Sequence, residues 1–457
     1  MLLYETVAAV STPPGQGGIA IVRLSGPQCY PVAEKVFVPQ DAKKQLAAAK
    51  GYTAMFGSFI FGGQKLDEGI ALCFRAPHSY TGEDVIELSC HGGEEVTRRL
   101  LQACLQAGAL PAPPGEFTRR AVLNGRLSLT QAEAVMDVIS ATSRQGVALA
   151  EAALGGALQK EIEAQRQKLL ALAGHLAAYI DYPEEGVEAL SAESFLQTLN
   201  EVLAALEKLL QSYGQGAIFR RGVRAAIVGS PNVGKSTLFN LLSGYERAIV
   251  TPVAGTTRDV VQESIQLGDV PLLLSDTAGL HETGDVVEAE GIRRSYAEME
   301  QAALVVVVFD GSQPLGEEDI ALAQKAQGRP SLGIINKTDL PQVLDTARLQ
   351  PYFTQVAALT AQDPASRKVV EQAVADVLGI KPFDPGAASL ANERQFTAVV
   401  QARDALQAAK ETLLAGYTFD AAGVYLEDAL SAFAALTGEV VSEQILEEVF
   451  SRFCVGK

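Results

Sequence analysis

Gly229-Ser-Pro-Asn232-Val233-Gly234-Lys235-Ser236-Thr237 is the stretch on which the fold turns. It fits the pattern G-x-x-x-x-G-K-S/T, follows the apolar run at 224–228 and precedes the helical run Leu238-Phe-Asn-Leu-Leu. Strand, glycine loop and helix in that order make a phosphate-binding loop. The glycines let backbone N–H groups turn toward phosphate oxygens, Lys235 meets the β and γ charge, and the Ser236 hydroxyl ligates Mg²⁺. Short, wholly apolar, β-branched runs recur at Leu304-Val-Val-Val-Val-Phe309 and at the run ending in Ile334-Ile335. Helical segments separate them, which predicts buried parallel strands in a doubly wound α/β unit over 219–380.

Two further segments specify the base and the chemistry. Asp276-Thr277-Ala278-Gly279 follows the apolar run Val270 to Leu274, where its carboxylate serves the magnesium shell and its glycine N–H senses the γ-phosphate. Asn336-Lys337-Thr338-Asp339 follows Gly333-Ile-Ile. Asp339 is suited to accept paired hydrogen bonds from the N1–H and 2-amino groups of guanine, which adenine does not offer. A buried carboxylate left unpaired is costly, so the site should reject ATP and take GTP. The base-flanking loop is expected at Ala357-Ala358-Leu359, where such proteins usually read Ser-Ala-x, so a serine hydroxyl is lost. The position after Gly279, often a water-orienting glutamine, is Leu280. Glu282, Asp285, Glu288 and Glu290 are the downstream acids that could supply the missing polar contact, each equally readable as a solvated surface charge. The loop Thr251-Pro252-Val253-Ala254-Gly255-Thr256-Thr257-Arg258-Asp259 occupies the place of a magnesium-contacting switch.

Outside this unit the chain changes character. Residues 1–118 alternate short β-rich runs (18–24, 56–61, 69–74, 84–88) with glycine and proline turns, predicting a mixed α/β domain. At 119–218, Leu158, Ile162, Leu169, Leu172 and Leu176, then Leu199, Val202, Leu203, Leu206 and Leu210, recur with helical spacing. YGQGAIFRRGVR at 213–224 is expected to break that pattern. Helical spacing returns in 381–457, at Phe396, Val399, Val400 and Leu406 and at Leu446, Val449, Phe450 and Phe453. Two helical blocks around an α/β unit predict a multidomain α/β plus all-α chain, with the nucleotide unit inserted into one helical domain.

Composition limits the function classes. The 457 residues carry a formal charge of −17, distributed as −2, −4, −6 and −5 over the four segments. No segment is basic, which argues against a protein that coats duplex nucleic acid by neutralising phosphates. Cys29, Cys73, Cys90, Cys104 and Cys454 are scattered, so neither a disulfide framework nor a zinc site is expected. No secretory signal and no membrane-spanning run is read, and a cytoplasmic location is expected.

The segments STPPGQGGIAIVRLSG, APHSYTGEDVIELSCHGG and PPGEFTRRAVLNGRLSLTQAEAV, the nucleotide motifs with GTTRD, and the ending FCVGK together resemble the MnmE (TrmE) family of bacterial tRNA-modification GTPases. The resemblance implies a folate-binding, dimerising α/β domain at 1–118 and a helical domain in two parts, 119–218 and 381–457. A Ras-like G domain would occupy 219–380. It implies a homodimer that works with the FAD-containing partner MnmG (GidA), as a heterotetramer or larger, on tRNA. The product would be an aminomethyl or carboxymethylaminomethyl group at C5 of the wobble uridine, its carbon drawn from a tetrahydrofolate derivative for which 5-formyl-tetrahydrofolate is an analogue.

Matched position by position, Ser236 and Thr257 would ligate Mg²⁺, and Asn232, Thr251, Val253 and Thr256 would ligate K⁺. Glu288 would position the attacking water. Arg23, Glu87, Arg126 and Lys457 would bind folate, with arginine at 126 where some relatives have lysine. Cys454 would serve the modification chemistry in an unsettled role, against the plainer reading of a thiol packed on the last helix. From the residues alone the rival is an RNA- or ribosome-associated assembly GTPase without modification chemistry. Such a factor should carry a basic module, and the flanks here are acidic.

Overall fold

The computed structural model describes residues 5–181, 191–244, 263–274, 296–380, 384–439, 443–451 and 453–457. The chain divides into two compact units. One comprises Met1–Met136, Ala153–Leu206 and Thr397–Lys457, and the other Asp137–Ala152 and Glu207–Phe396.

In the first unit, β1 (Val7–Val10), β2 (Ile19–Ser25), β3 (Phe37–Pro39), β4 (Thr53–Phe61), β5 (Gln64–Phe74), β6 (Val85–His91) and β7 (Leu110–Pro111) form one sheet. Its order is β3-β4-β5-β6-β2-β1-β7, antiparallel throughout except for the β1/β7 edge pair. Alternation decides which face is covered. Val22, Leu24, Ile86, Leu88, Ala71 and Cys73 join residues of the helices Cys29–Val36 and Glu94–Gln106 in one core. On the other face Phe56 and Ile70, directly paired across β4 and β5, are 49% and 45% exposed.

The helix Ala157–Asp181 of this unit follows the predicted periodicity. Leu158, Ile162, Leu169, Leu172 and Leu176 are all buried along Ala157–Asp181. The helix Phe419–Thr437 buries Ala422, Leu426, Ala429, Phe433 and Leu436 on one stripe. It approaches the 157–181 helix so closely that a Cβ at Gly423 would lie 2.8 Å from Leu176 Cδ2.

The second unit holds a six-stranded sheet of β8 (Val223–Val228), β9 (Glu263–Leu267), β10 (Val270–Leu274), β11 (Leu304–Asp310), β12 (Ser331–Asn336) and β13 (Gln355–Ala358). The order is β13-β12-β11-β8-β10-β9, parallel except for the β9/β10 hairpin. Val306 and Val308 face one core while Val305, Val307 and Phe309 face the other. Burial on both sides is why these strands read as continuous apolar runs.

One expectation fails here. The helix Ala192–Arg221 runs through the segment expected to break it and ends only at Gly222, whose φ is +72°. Gly214 and Gly216 each cost about 1 kcal/mol of helix propensity, but burial of Phe219 offsets that loss. Gly216 also makes room, since a Cβ there would sit 2.9 Å from the Arg220 guanidinium.

Candidate functional site

The phosphate loop leaves the C-terminal end of β8, in the middle of the parallel sheet, and feeds the helix Lys235–Ser243. Its glycines are dictated by contact as well as by conformation. A Cβ at Gly229 (φ +154°) would overlap the Val308 carbonyl oxygen, and one at Gly234 (φ +101°) would overlap Asn336 Nδ2. Lys235 Nζ donates to the Gly229 and Ser230 carbonyls (2.8 and 2.9 Å), so its ammonium lies over the loop. Burial lowers its pKa below the usual lysine value, with Glu318 acting against that shift. Val233 is buried under the loop, while Ser236 and Thr237 sit half-buried in the first helical turn.

Asn336, buried at the end of β12, ties this loop to the base side of the site. Its Nδ2 donates to the Val233 carbonyl (2.9 Å) and its Oδ1 accepts from the Ala361 N–H (2.8 Å). Lys337 Nζ donates to the Asn232 carbonyl (2.9 Å). Thr338 and Asp339 are exposed, leaving the Asp339 carboxylate available to a base.

The base-flanking loop is not where the sequence suggested. Ala357 and Leu359 point into the core, and the Leu359 N–H is taken by the Ile335 carbonyl (2.9 Å). Strand pairing with β12 turns those side chains inward. The hydroxyl that the Ala-Ala-Leu reading had lost is supplied by Thr360, which donates to Asp339 Oδ1 (3.2 Å) and accepts from Thr338 Oγ1 (2.9 Å). A threonine–alanine pair one residue beyond β13, Thr360-Ala361, was the legible signal, since threonine offers the same donor as serine.

Several expected residues lie outside the described ones: 251–257 (Thr251, Pro252, Val253, Ala254, Gly255, Thr256, Thr257), 276–279 (Asp276, Thr277, Ala278, Gly279) and Glu288.

A second cluster forms in the first unit. Arg23 and Glu87 are register partners on β2 and β6, and Arg23 Nε donates to Glu87 Oε1 (2.9 Å). The Arg23 guanidinium lies 5.6 Å from the centroid of the Tyr80 ring and 5.3 Å from that of Phe117. The C-terminal turn closes on this group: Gly456 O accepts from Ser11 Oγ (2.9 Å), and the Phe117 N–H donates to Lys457 O (3.2 Å). Burial pulls the Lys457 ammonium below the usual lysine value and Arg23 adds to the effect, while Glu87 and Cys454 oppose it. Cys454 itself is exposed and lies beyond the last helix, Glu443–Ser451, so it is not packed on that helix. Arg126 is exposed, and its Nε donates to the Ser79 carbonyl (3.2 Å), next to Tyr80.

In the same unit, Arg120 is fully buried and pairs with Glu116 (2.8 Å) and Glu83 (2.9 Å). Among the described residues no helix is long and apolar enough to cross a membrane, and no group of three or more His, Cys, Asp or Glu could hold a metal ion.

A central parallel strand, a glycine loop over a helix N-terminus, and an Asn-Lys-x-Asp segment bolted to that loop define a phosphate-loop protein of the guanine-nucleotide class. Family profiles take this further: one described as the MnmE helical domain matches residues 129–454, and one described as the GTP-binding protein TrmE N-terminus matches 6–126. The tRNA modification GTPase MnmE of Symbiobacterium thermophilum is 43% identical over 457 residues, covering 99% of each chain. That of Chloroflexus aurantiacus is 41% identical over 458 residues, covering 100% of each. The chain belongs to the MnmE (TrmE) family.

Proposed function

We infer that this protein is a GTPase of tRNA modification, and that it builds the C5 substituent of the wobble uridine together with an FAD-containing MnmG partner. The full-length match to relatives named tRNA modification GTPase carries the reading. The loop N–H groups and Lys235 receive the phosphates, and Asp339, steadied by Thr360, accepts from the guanine edge. Ser236 stands at the helix N-terminus where, with Thr257 and Asp276, it would hold Mg²⁺, which offsets phosphate charge when bound. Asn232 is exposed at the loop apex with φ +61°, and its neutral amide oxygen suits K⁺. Thr251, Val253 and Thr256 would complete that site, and Glu288 would orient the water.

A tetrahydrofolate derivative would bind at the Arg23–Glu87 cluster. The half-buried Tyr80 ring would flank a flat pterin, Glu87 would offer acceptors to its amino edge, and Lys457 and Arg126 would offer cations to a glutamate tail. The exposed Phe56–Ile70 face of the first sheet favours a second copy of the chain as its cover. In this reading the nucleotide unit is the G domain, and the 1–118 segment is the folate-binding and dimerising one.

The test is GTP turnover in matched potassium and sodium buffers. Turnover at least about tenfold faster in potassium is expected, from the charge a cation adds beside the phosphates. Equal rates would remove Asn232 from the mechanism.

A further inference from the structure

Among the described residues, the non-glycine positions with left-handed φ are Tyr52, Asn232 and Lys337, and the last two are joined directly by the Lys337 Nζ to Asn232 O hydrogen bond. Such conformations cost of order 1 kcal/mol or more and persist only where neighbours enforce them. The enforcement here has a visible source. Lys337 Nζ is also paired with the Asp310 carboxylate at the end of β11. Asp310 is itself fixed, because its Oδ1 accepts from the Ser312 N–H (3.0 Å) and the Ser312 hydroxyl (2.7 Å). On the other side, the Lys337 carbonyl accepts from Gln342 Nε2 (2.9 Å). Asp310 and Asn336 are register partners on adjacent strands, so the carboxylate stands beside the Asn-Lys-x-Asp segment by construction of the sheet.

We propose that Asp310 is a positioning residue for nucleotide retention: acting through Lys337, it holds the Asn232 carbonyl, and with it the apex of the phosphate loop, in the left-handed conformation. The inference rests on the guanine-nucleotide reading of the site. A lysine ammonium with a single carbonyl partner is a flexible point charge that water can claim. A carboxylate on the neighbouring strand gives it one direction, and the loop N–H groups then meet phosphate already arranged.

The experiment is a double-mutant cycle on the release rate of a fluorescent N-methylanthraniloyl GDP from the full chain in magnesium buffer. Release should be about tenfold faster in Asp310→Asn and in Lys337→Met, as expected for loss of a charged hydrogen bond. The double variant should release no faster than Lys337→Met alone. Ser312→Ala should accelerate release two- to threefold, about the effect of one weak hydrogen bond, and again only when Lys337 is present. Should Asp310→Asn fail to fold, the Ser312→Ala and Lys337→Met cycle makes the same test. Unchanged release in the Asp310 or Ser312 variants, or a double variant whose acceleration is the product of the two singles, would overturn the proposal. A wild-type chain that retains the ADP analogue as long as the GDP analogue would instead overturn the guanine reading beneath it.

Discussion

The two sites are built on opposite plans. The nucleotide site gathers loops at the C-terminal ends of parallel strands and is made largely of backbone: the carbonyls of Gly229, Ser230, Asn232 and Val233 and the N–H of Ala361 hold it together. The Arg23–Glu87 site stands on side chains projecting from antiparallel strands, closed by a turn more than 400 positions away in sequence. A site made of backbone needs glycines and a few fixed polar residues at short spacing, so it leaves a contiguous motif. A site made of side chains from distant segments leaves none.

If that contrast is right, the largest effect should follow from the side chain proposed to read the base. Asp339→Asn should weaken GTP binding on the order of 10³-fold or more and shift preference toward xanthine nucleotides; titration with both nucleotides measures it. In the other unit, the comparable weak point is the buried Arg120. Arg120→Ala strands Glu116 and Glu83 and should cost about 3–5 kcal/mol of stability, read by urea denaturation. A loss under about 1 kcal/mol would mean that water compensates the pair.

Smaller effects sharpen the comparison. Glu87→Gln removes the charge that Arg23 meets and should weaken 5-formyl-tetrahydrofolate binding by about 10- to 100-fold in calorimetry. Asp310 gives the mildest signal, in acid. Burial would raise its carboxyl, but hydrogen bonds from Lys337 and Ser312 outweigh that and hold it below the usual value of 3.8. Its contribution is therefore complete above that value and drains away as pH falls through the depressed folded value. Melting curves of wild type should steepen in their loss of stability over that window relative to Asp310→Asn, and parallel curves would contradict the assignment.

The same contrast explains what could be read in advance. β8, β11 and β12 were legible because both of their faces are buried, and the phosphate loop because contact with Val308 and Asn336 leaves room only for glycine at two positions. The base-flanking loop was misplaced by three residues because Ala357-Ala358 mimics the sought pattern, whereas strand pairing with β12 puts the usable hydroxyl at Thr360. The end of the 192–221 helix was misjudged because its glycines read as breakers while tertiary packing of Phe219 overrides them. The short strands β1, β3 and β7 show too few residues for a period, and the alanine-rich helix 419–437 blurs its own stripe. Arg23 and Glu87 came only from resemblance, since nothing local marks a pair that the β2/β6 register alone brings together.

The central claim is that a guanine-nucleotide site in this chain serves a change made to tRNA. Nucleoside analysis of tRNA from cells deprived of the chain measures it most directly. Wobble uridine lacking its C5 substituent is expected, restored by the wild-type chain but not by Asp339→Asn. Fully substituted wobble uridine in the deprived cells would contradict it.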